Sequence, residues 1–325
     1  VRSRRQRQMC IRDSAATAMF ASCTNDEMVE MNPQSAIGFE TFVDKSTRAA
    51  EDVTKANLTA FEVYGWRTKD SNTEQIFDAQ AVTANAGVCT YSPLQYWVGS
   101  YTYDFEAVAP KSGDKGVTVD DSHGASTITF VSDSETDLIY ASASKDLSSS
   151  DYGTLATATD PVGLTFGHLL SRVKFTFTNG ADANSAATIT VSDVKITGVG
   201  TTGVYTPSTE TWAAATATGA VTFASTNITN IVGGNSGATE HKYLIPYDVQ
   251  NYKLSFKVIM TQKQNNNSTG VSDVFEYTDI ALVSSTYTLG KGCSYNFKAT
   301  FNPGQPIVFT ADVTPWDDFT DVTIP

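Results

Sequence analysis

The run Ala36-Ile37-Gly38-Phe39-Glu40-Thr41-Phe42-Val43 alternates between two faces. Ile37, Phe39, Thr41 and Val43 share one side, and Gly38, Glu40, Phe42 and Asp44 the other, so the period of two predicts a β-strand. Upstream lies Phe20-Ala21-Ser22-Cys23-Thr24-Asn25-Asp26-Glu27, a cysteine preceded by small residues, which suits a lipid-acceptor site at Cys23. Downstream, Asp44-Lys45-Ser46-Thr47-Arg48-Ala49-Ala50 is a polar loop with a single arginine, open to a trypsin-like protease cutting between Arg48 and Ala49. A strand set between a tether and a cleavable loop can be held until processing and then lost.

The same period runs outward through the chain. Gly, Pro, Asn, Asp and Ser clusters break it roughly every ten residues, and no long stretch shows the helical period, so the fold class is all-β and sandwich-like. Leu58 to Trp66, Gln75 to Thr83, Leu94 to Val98, Tyr101 to Ala109, Ser126 to Ser132 and Asp137 to Ala141 form a first set of strands. The Ser/Thr/Ala-rich segment 144–160 reads as a linker. A second set begins with Leu164 to Thr178. In Thr188 to Val199 the apolar parity shifts, which predicts a bulge near Ser192-Asp193. Pro207-Ser208 reads as a hairpin turn. His241 to Val249, Tyr252 to Thr261 and Val274 to Val283 follow, and Cys293, Tyr295, Phe297, Ala299 and Phe301 line one face of the clearest strand. Near the end, Ile307, Phe309, Ala311 and Val313 repeat the pattern of Ile37, Phe39, Thr41 and Val43, so one kind of groove would accept either strand. The shorter Val322-Ile324 tail is the rival for that role.

At 325 residues, 41% hydrophobic and 11% aromatic, the chain can fill real cores and is long enough for two domains. The expected division is 1–14, 15–48, 49–160 and 161–325. A formal charge of −13 makes nucleic acid a poor partner. Residues 1–14 hold five arginines in a chain otherwise short of them. Met9-Cys10-Ile11-Arg12-Asp13-Ser14 resembles the translated adaptor of a sequencing library, and the rival reading is the basic start of a signal peptide. Cys89 and Cys293 stand alone in sequence. They read as small buried hydrophobes, with a disulfide as the alternative.

Catalytic and metal-binding patterns are missing from the sequence. The three histidines, His123, His168 and His241, have no second ligand at metal spacing. No nucleophile elbow, phosphate loop or dinucleotide fingerprint occurs. Asp317, Asp318 and Asp321 lack the glycine and glutamate of a calcium loop. The expectation is therefore no enzyme, no cofactor and no metal. Trp66, Tyr96 and Trp97 would serve a sugar platform if exposed and a core if not.

Several motifs together resemble the fimbrillin-like proteins, subunits of the type V pili of Bacteroidales. They are Phe20-Ala21-Ser22-Cys23, residues 36–49, Leu58 to Gly65, Tyr103 to Pro110, His168 to Phe175 and Val313-Thr314-Pro315-Trp316. The resemblance implies two tandem transthyretin-like β-sandwich domains. It implies export as a lipoprotein, lipidated at Cys23, to the outer membrane and the cell-surface fimbrium. It implies a trypsin-like processing protease acting after Arg48, loss of the strand of Ile37, Phe39, Thr41 and Val43, and its replacement by a carboxy-terminal donor strand of another pilus subunit. Ile307, Phe309, Ala311 and Val313 are the donor candidates here. A host or bacterial surface receptor is a further partner. The alternative function is a tip adhesin or glycan-binding surface lipoprotein. Phe20 stands three before the cysteine, where leucine is commoner.

Overall fold

The computed structural model describes residues 35–43, 53–54, 56–149, 161–246, 252–262, 270–282 and 289–302, and the backbone of 308–315. Twenty strands and no helix occur among them. They are β1 (Phe39–Val43), β2 (Ala60–Lys69), β3 (Asn72–Asn85), β4 (Val88–Thr90), β5 (Thr102–Ala109), β6 (Val117–Asp120), β7 (Thr127–Val131), β8 (Ile139–Asp146), β9 (Val162–His168) and β10 (Ser171–Asn179). There follow β11 (Ala187–Thr206), β12 (Thr211–Trp212), β13 (Ala217–Thr222), β14 (Ile231–Val232), β15 (Ser236–Ala238), β16 (Lys242–Leu244), β17 (Lys253–Gln262), β18 (Val271–Ala281), β19 (Cys293–Phe301) and β20 (Val308–Pro315).

The strands form three sheets. One closes into a barrel in the order β1-β4-β3-β2-β5-β8-β9. A second runs β15-β10-β19-β20, with β16 beside β10, and a third runs β18-β17-β11-β7-β6, with β12, β13 and β14 also on β11. Alternation places the cores. Val173, Phe175 and Phe177 of β10 and Tyr295, Phe297 and Ala299 of β19 are buried against Leu254, Phe256, Val258 and Met260 of β17. The barrel has its own core around Phe61, Val63, Phe77, Tyr103, Phe105 and Phe166.

Several sequence expectations meet their strands closely. β11 slips register between Ser192 and Lys195, where Asp193 adopts φ 58°, so the parity shift marks a bulge. The Pro207 turn joins β11 to β12, with Tyr205 opposite Trp212.

Others need correction. The strands do not divide at 160/161. β9 belongs to the barrel, parallel to β1 and antiparallel to β8, while β6 and β7 leave the first set, β7 pairing with β11 and β6 with β7. Leu164 to Thr178 is not one strand but two, in different sheets. Between them Leu169 and Leu170 are buried where the chain crosses over, and an unbroken strand would hold both in one sheet. Leu94 to Val98 makes one bridge, Ala36 to Tyr96, rather than a strand. In the stretch 241–249, the described residues 241–246 contribute three strand residues, Lys242–Leu244.

A third buried cluster joins barrel and sheets. Tyr64, Trp66 and Val108 point out of the barrel onto Ile128 and Phe130 of β7, and Leu170 and Ile245 complete the layer. Burying each of these seven side chains contributes roughly 1.5–3 kcal/mol. This explains why β2 is buried on both faces along most of its length.

Candidate functional site

The barrel closes through β1. Along one edge β1 runs parallel to β9 over five positions, from Phe39 opposite Val162 to Val43 opposite Phe166. Along the other it meets the short β4 at a single position, Glu40 opposite Val88. The segment before it is held by backbone bonds: Ile37 N–H donates to Gln95 O at 2.8 Å, and Trp97 N–H to Ser35 O at 3.0 Å. Val162 N–H donates to Gly38 O at 2.8 Å. The Tyr91 hydroxyl donates to Ile37 O at 2.6 Å. Burial raises the Tyr91 phenol pKa, which keeps that donor protonated.

The inward face of β1 is the face expected from alternation. Ile37, Phe39 and Thr41 are buried at 1%, 4% and 1% exposure, and Val43 is half-buried. Phe39 sits in an aromatic box, its ring centroid 5.5 Å from Phe77 and 5.7 Å from both Tyr91 and Phe105. Such edge-on ring contacts add about 0.5–1.5 kcal/mol beyond area burial. The Thr41 hydroxyl oxygen, by contrast, is buried with no hydrogen-bond partner among the described residues. On the outer side Phe42 is 41% exposed, and Val88, opposite Glu40, is 71% exposed.

The slot is thus an apolar groove that holds one strand by a full edge and a partial one. Removing β1 would expose the free edge of β9 and the aromatic box together, which is a template for strand addition.

Of the other predicted site residues, Cys23, Arg48, Ala49 and Ile307 lie outside the described residues, as do Asp317, Asp318 and Asp321. Phe309, Ala311 and Val313 fall on β20, which is the outer strand of its sheet and pairs antiparallel with β19 from Cys293–Pro315 to Thr300–Val308. The sugar platform does not form. Trp66 and Trp97 are buried at 4% and 1%, and Tyr96 alone of the three is exposed. His168 Nδ1 lies 2.8 Å from Asp137 Oδ2 in a buried pair, and the same carboxylate oxygen accepts Val53 N–H at 3.4 Å, so the pair ties down the segment that enters the barrel. Cys89 on β4 and Cys293 on β19 are not joined by a disulfide. Among the described residues no cluster of His, Cys, Asp and Glu is arranged to hold a metal. The β4 edge of the slot was missed in the sequence. Its signal was Cys89 flanked by Val88 and Thr90, too short to register as a strand.

A sequence profile of fimbrillin-like proteins matches residues 47–316. The chain belongs to the fimbrillin-like family. It is therefore a pilus-related protein of the cell surface, and membership speaks for a structural rather than an enzymatic role. The match in this fimbrillin-like chain starts after β1 and runs past the end of β20. Among solved structures it is similar to a fimbrial protein from Bacteroides vulgatus ATCC 8482, at 18% identity, with 86% of this chain and 99% of that one covered and a TM-score of 0.64. It is also similar to a candidate cell adhesion protein from Bacteroides ovatus ATCC 8483, at 13% identity, with 87% and 98% covered and a TM-score of 0.53. At such identities these likenesses speak for the fold alone. A comparison with curated proteins returned no significant match.

Proposed function

We propose that this fimbrillin-like chain is a structural subunit of a cell-surface pilus. It is exported as a lipoprotein anchored to the outer membrane through Cys23. A trypsin-like protease cuts after Arg48, β1 leaves, and a carboxy-terminal strand of another subunit takes its place.

The observation that carries this reading is the placement of β1. It is the leading strand among the described residues, it closes the barrel, and it meets β4 at one position while meeting β9 at five. The cut site at Arg48 follows it by five residues in sequence. One cleavage would therefore convert a covalently attached strand into a dissociable one. A donor strand would restore several backbone hydrogen bonds at roughly 1 kcal/mol net each. Burying its large apolar side chains adds roughly 1.5–3 kcal/mol apiece. Ordering the donor offsets part of that gain.

The test is to treat purified precursor with a trypsin-like protease and follow size by chromatography and electron microscopy. Cleaved wild type forms polymers, and Arg48→Ala stays monomeric. Polymers of Arg48→Ala, or cleaved wild type that remains monomeric, would refute the reading.

A further inference from the structure

We propose that the end of the barrel where β2 and β8 finish and β3 and β5 begin is an oxyanion-binding site. Lys69, Lys145 and the indole N–H of Trp97 form it, for a ligand bearing a carboxylate or a sulfate. The inference goes beyond strand exchange and does not depend on it.

Register brings the cations together. Arg67 of β2 stands opposite Tyr103 of β5, and Tyr103 stands opposite Lys145 of β8. Lys69 lies two residues beyond Arg67, at the β2–β3 turn. Parity gives all three cations the side of Tyr103, whose ring belongs to the barrel core. Aromatic rings lie beneath them. Arg67 Cζ is 5.0 Å and Lys69 Nζ 5.6 Å from the centre of the Tyr101 ring, and Lys145 Nζ is 5.1 Å from that of Trp97. Trp97 and Tyr103 meet edge-on at 4.7 Å. Glu74 answers one of the three charges, accepting from Arg67 Nε at 2.8 Å. Lys69 and Lys145 make no ion pair among the described residues. In a chain of formal charge −13, two uncompensated ammonium groups set this end apart.

Trp97 gives a second, independent sign. It is 1% exposed, and its Nε1, which can only donate, has no hydrogen-bond partner among the described residues. A buried donor left unmade is costly, so an acceptor arriving there is favoured. The backbone around it is already fixed. Trp97 N–H donates to Ser35 O at 3.0 Å, Val98 N–H donates to the Tyr103 hydroxyl at 2.8 Å, and that hydroxyl donates to Val98 O at 2.9 Å. Lys145 is half-buried on a long flexible stem, and its ammonium lies over the same indole. One oxyanion, accepting at about 2.9 Å from each, joins the two donors. A cation is repelled here, and a neutral hydroxyl forgoes the charge-assisted bond.

The test titrates the uncleaved protein, isotope-labelled at the tryptophan nitrogens, at constant ionic strength. The probes are sodium glucuronate, acetate and sulfate, with chloride and neutral glucose as controls. The Trp97 indole signal, identified by its loss in Trp97→Phe, should move saturably with the oxyanions and stay still with the controls. The order of the three midpoints separates a carboxylated sugar, a bare carboxylate and a sulfate as the carrier. Lys145→Gln should weaken binding about tenfold and Lys69→Gln by a smaller factor. Lys257→Gln, on β17, should leave it unchanged. A Trp97 signal that ignores all three oxyanions, follows chloride equally, or keeps its midpoints in both Lys145→Gln and Lys69→Gln would overturn the assignment.

Discussion

Thr41→Val should strengthen the hold of β1. Thr41 is 1% exposed, and its hydroxyl finds no partner among the described residues. A buried polar group left unsatisfied costs about 1–3 kcal/mol, and replacing it by an apolar group of the same shape removes that cost. Valine keeps the branched shape and the stiffness at χ1 that suit a strand, so neither packing nor strand preference changes much. We therefore expect a gain of about 1–2 kcal/mol in the uncleaved protein. For a unit of 150–250 residues that is roughly 2–4 °C of Tm per kcal/mol. The same change slows release of β1 after cleavage by a factor of about 5–30. Thermal melts of the precursor read the first effect, and the rate of polymer appearance after protease treatment reads the second. Thr41→Ser is the control, because it keeps the hydroxyl and loses the methyl group, and it should lower Tm. A Thr41→Val protein whose Tm is unchanged or lower would show that the hydroxyl is satisfied and would refute the reasoning.

Two further outcomes follow from the barrel. At Gly65 an added β-carbon would meet Phe77 Cδ2 at 2.7 Å and Phe105 Cδ1 at 3.0 Å, so Gly65→Ala should destabilise by about 1–3 kcal/mol through overpacking, read as a lower denaturation midpoint with an unchanged slope. Burial raises the Glu106 carboxyl pKa, against smaller opposing contributions from a Ser126 hydrogen bond and the His123 charge. The folded state therefore holds that proton more tightly than the unfolded one. Its contribution is most favourable below the unfolded pKa and is lost as pH rises through the folded one. Glu106→Gln should flatten that part of the stability–pH curve and stabilise the protein at neutral pH, and a variant curve parallel to wild type would contradict this.

Much of the local fold was legible because side-chain parity is a local property. The buried face of β1, the bulge at Asp193 and the turn at Pro207 each follow from a few consecutive residues. What escaped was coverage from a distance. Trp66 reads as a core or sheet-packing residue and is buried, but nothing near it in sequence says that the β6–β7 hairpin is what lies over it. Leu169 and Leu170 read as the middle of a strand, although they mark the crossing between sheets. The slot itself was half legible. Its occupant shows in the alternation of residues 37–43, but its walls come from β9, β4 and the 91–97 loop, which lie about 45 or more positions away.

By itself, the order of amino acids determined that this is an all-β chain and which side of strands such as β1, β10 and β19 is apolar. Only the tertiary structure decided that β9 turns back to close the barrel, that β6 and β7 join the opposite sheet, and that one hydroxyl in the slot is stranded. The reason is physical: alternation is set within two residues, whereas pairing is set by hydrogen-bond edges and packing surfaces brought together across long loops, and no short window of sequence encodes which edge arrives.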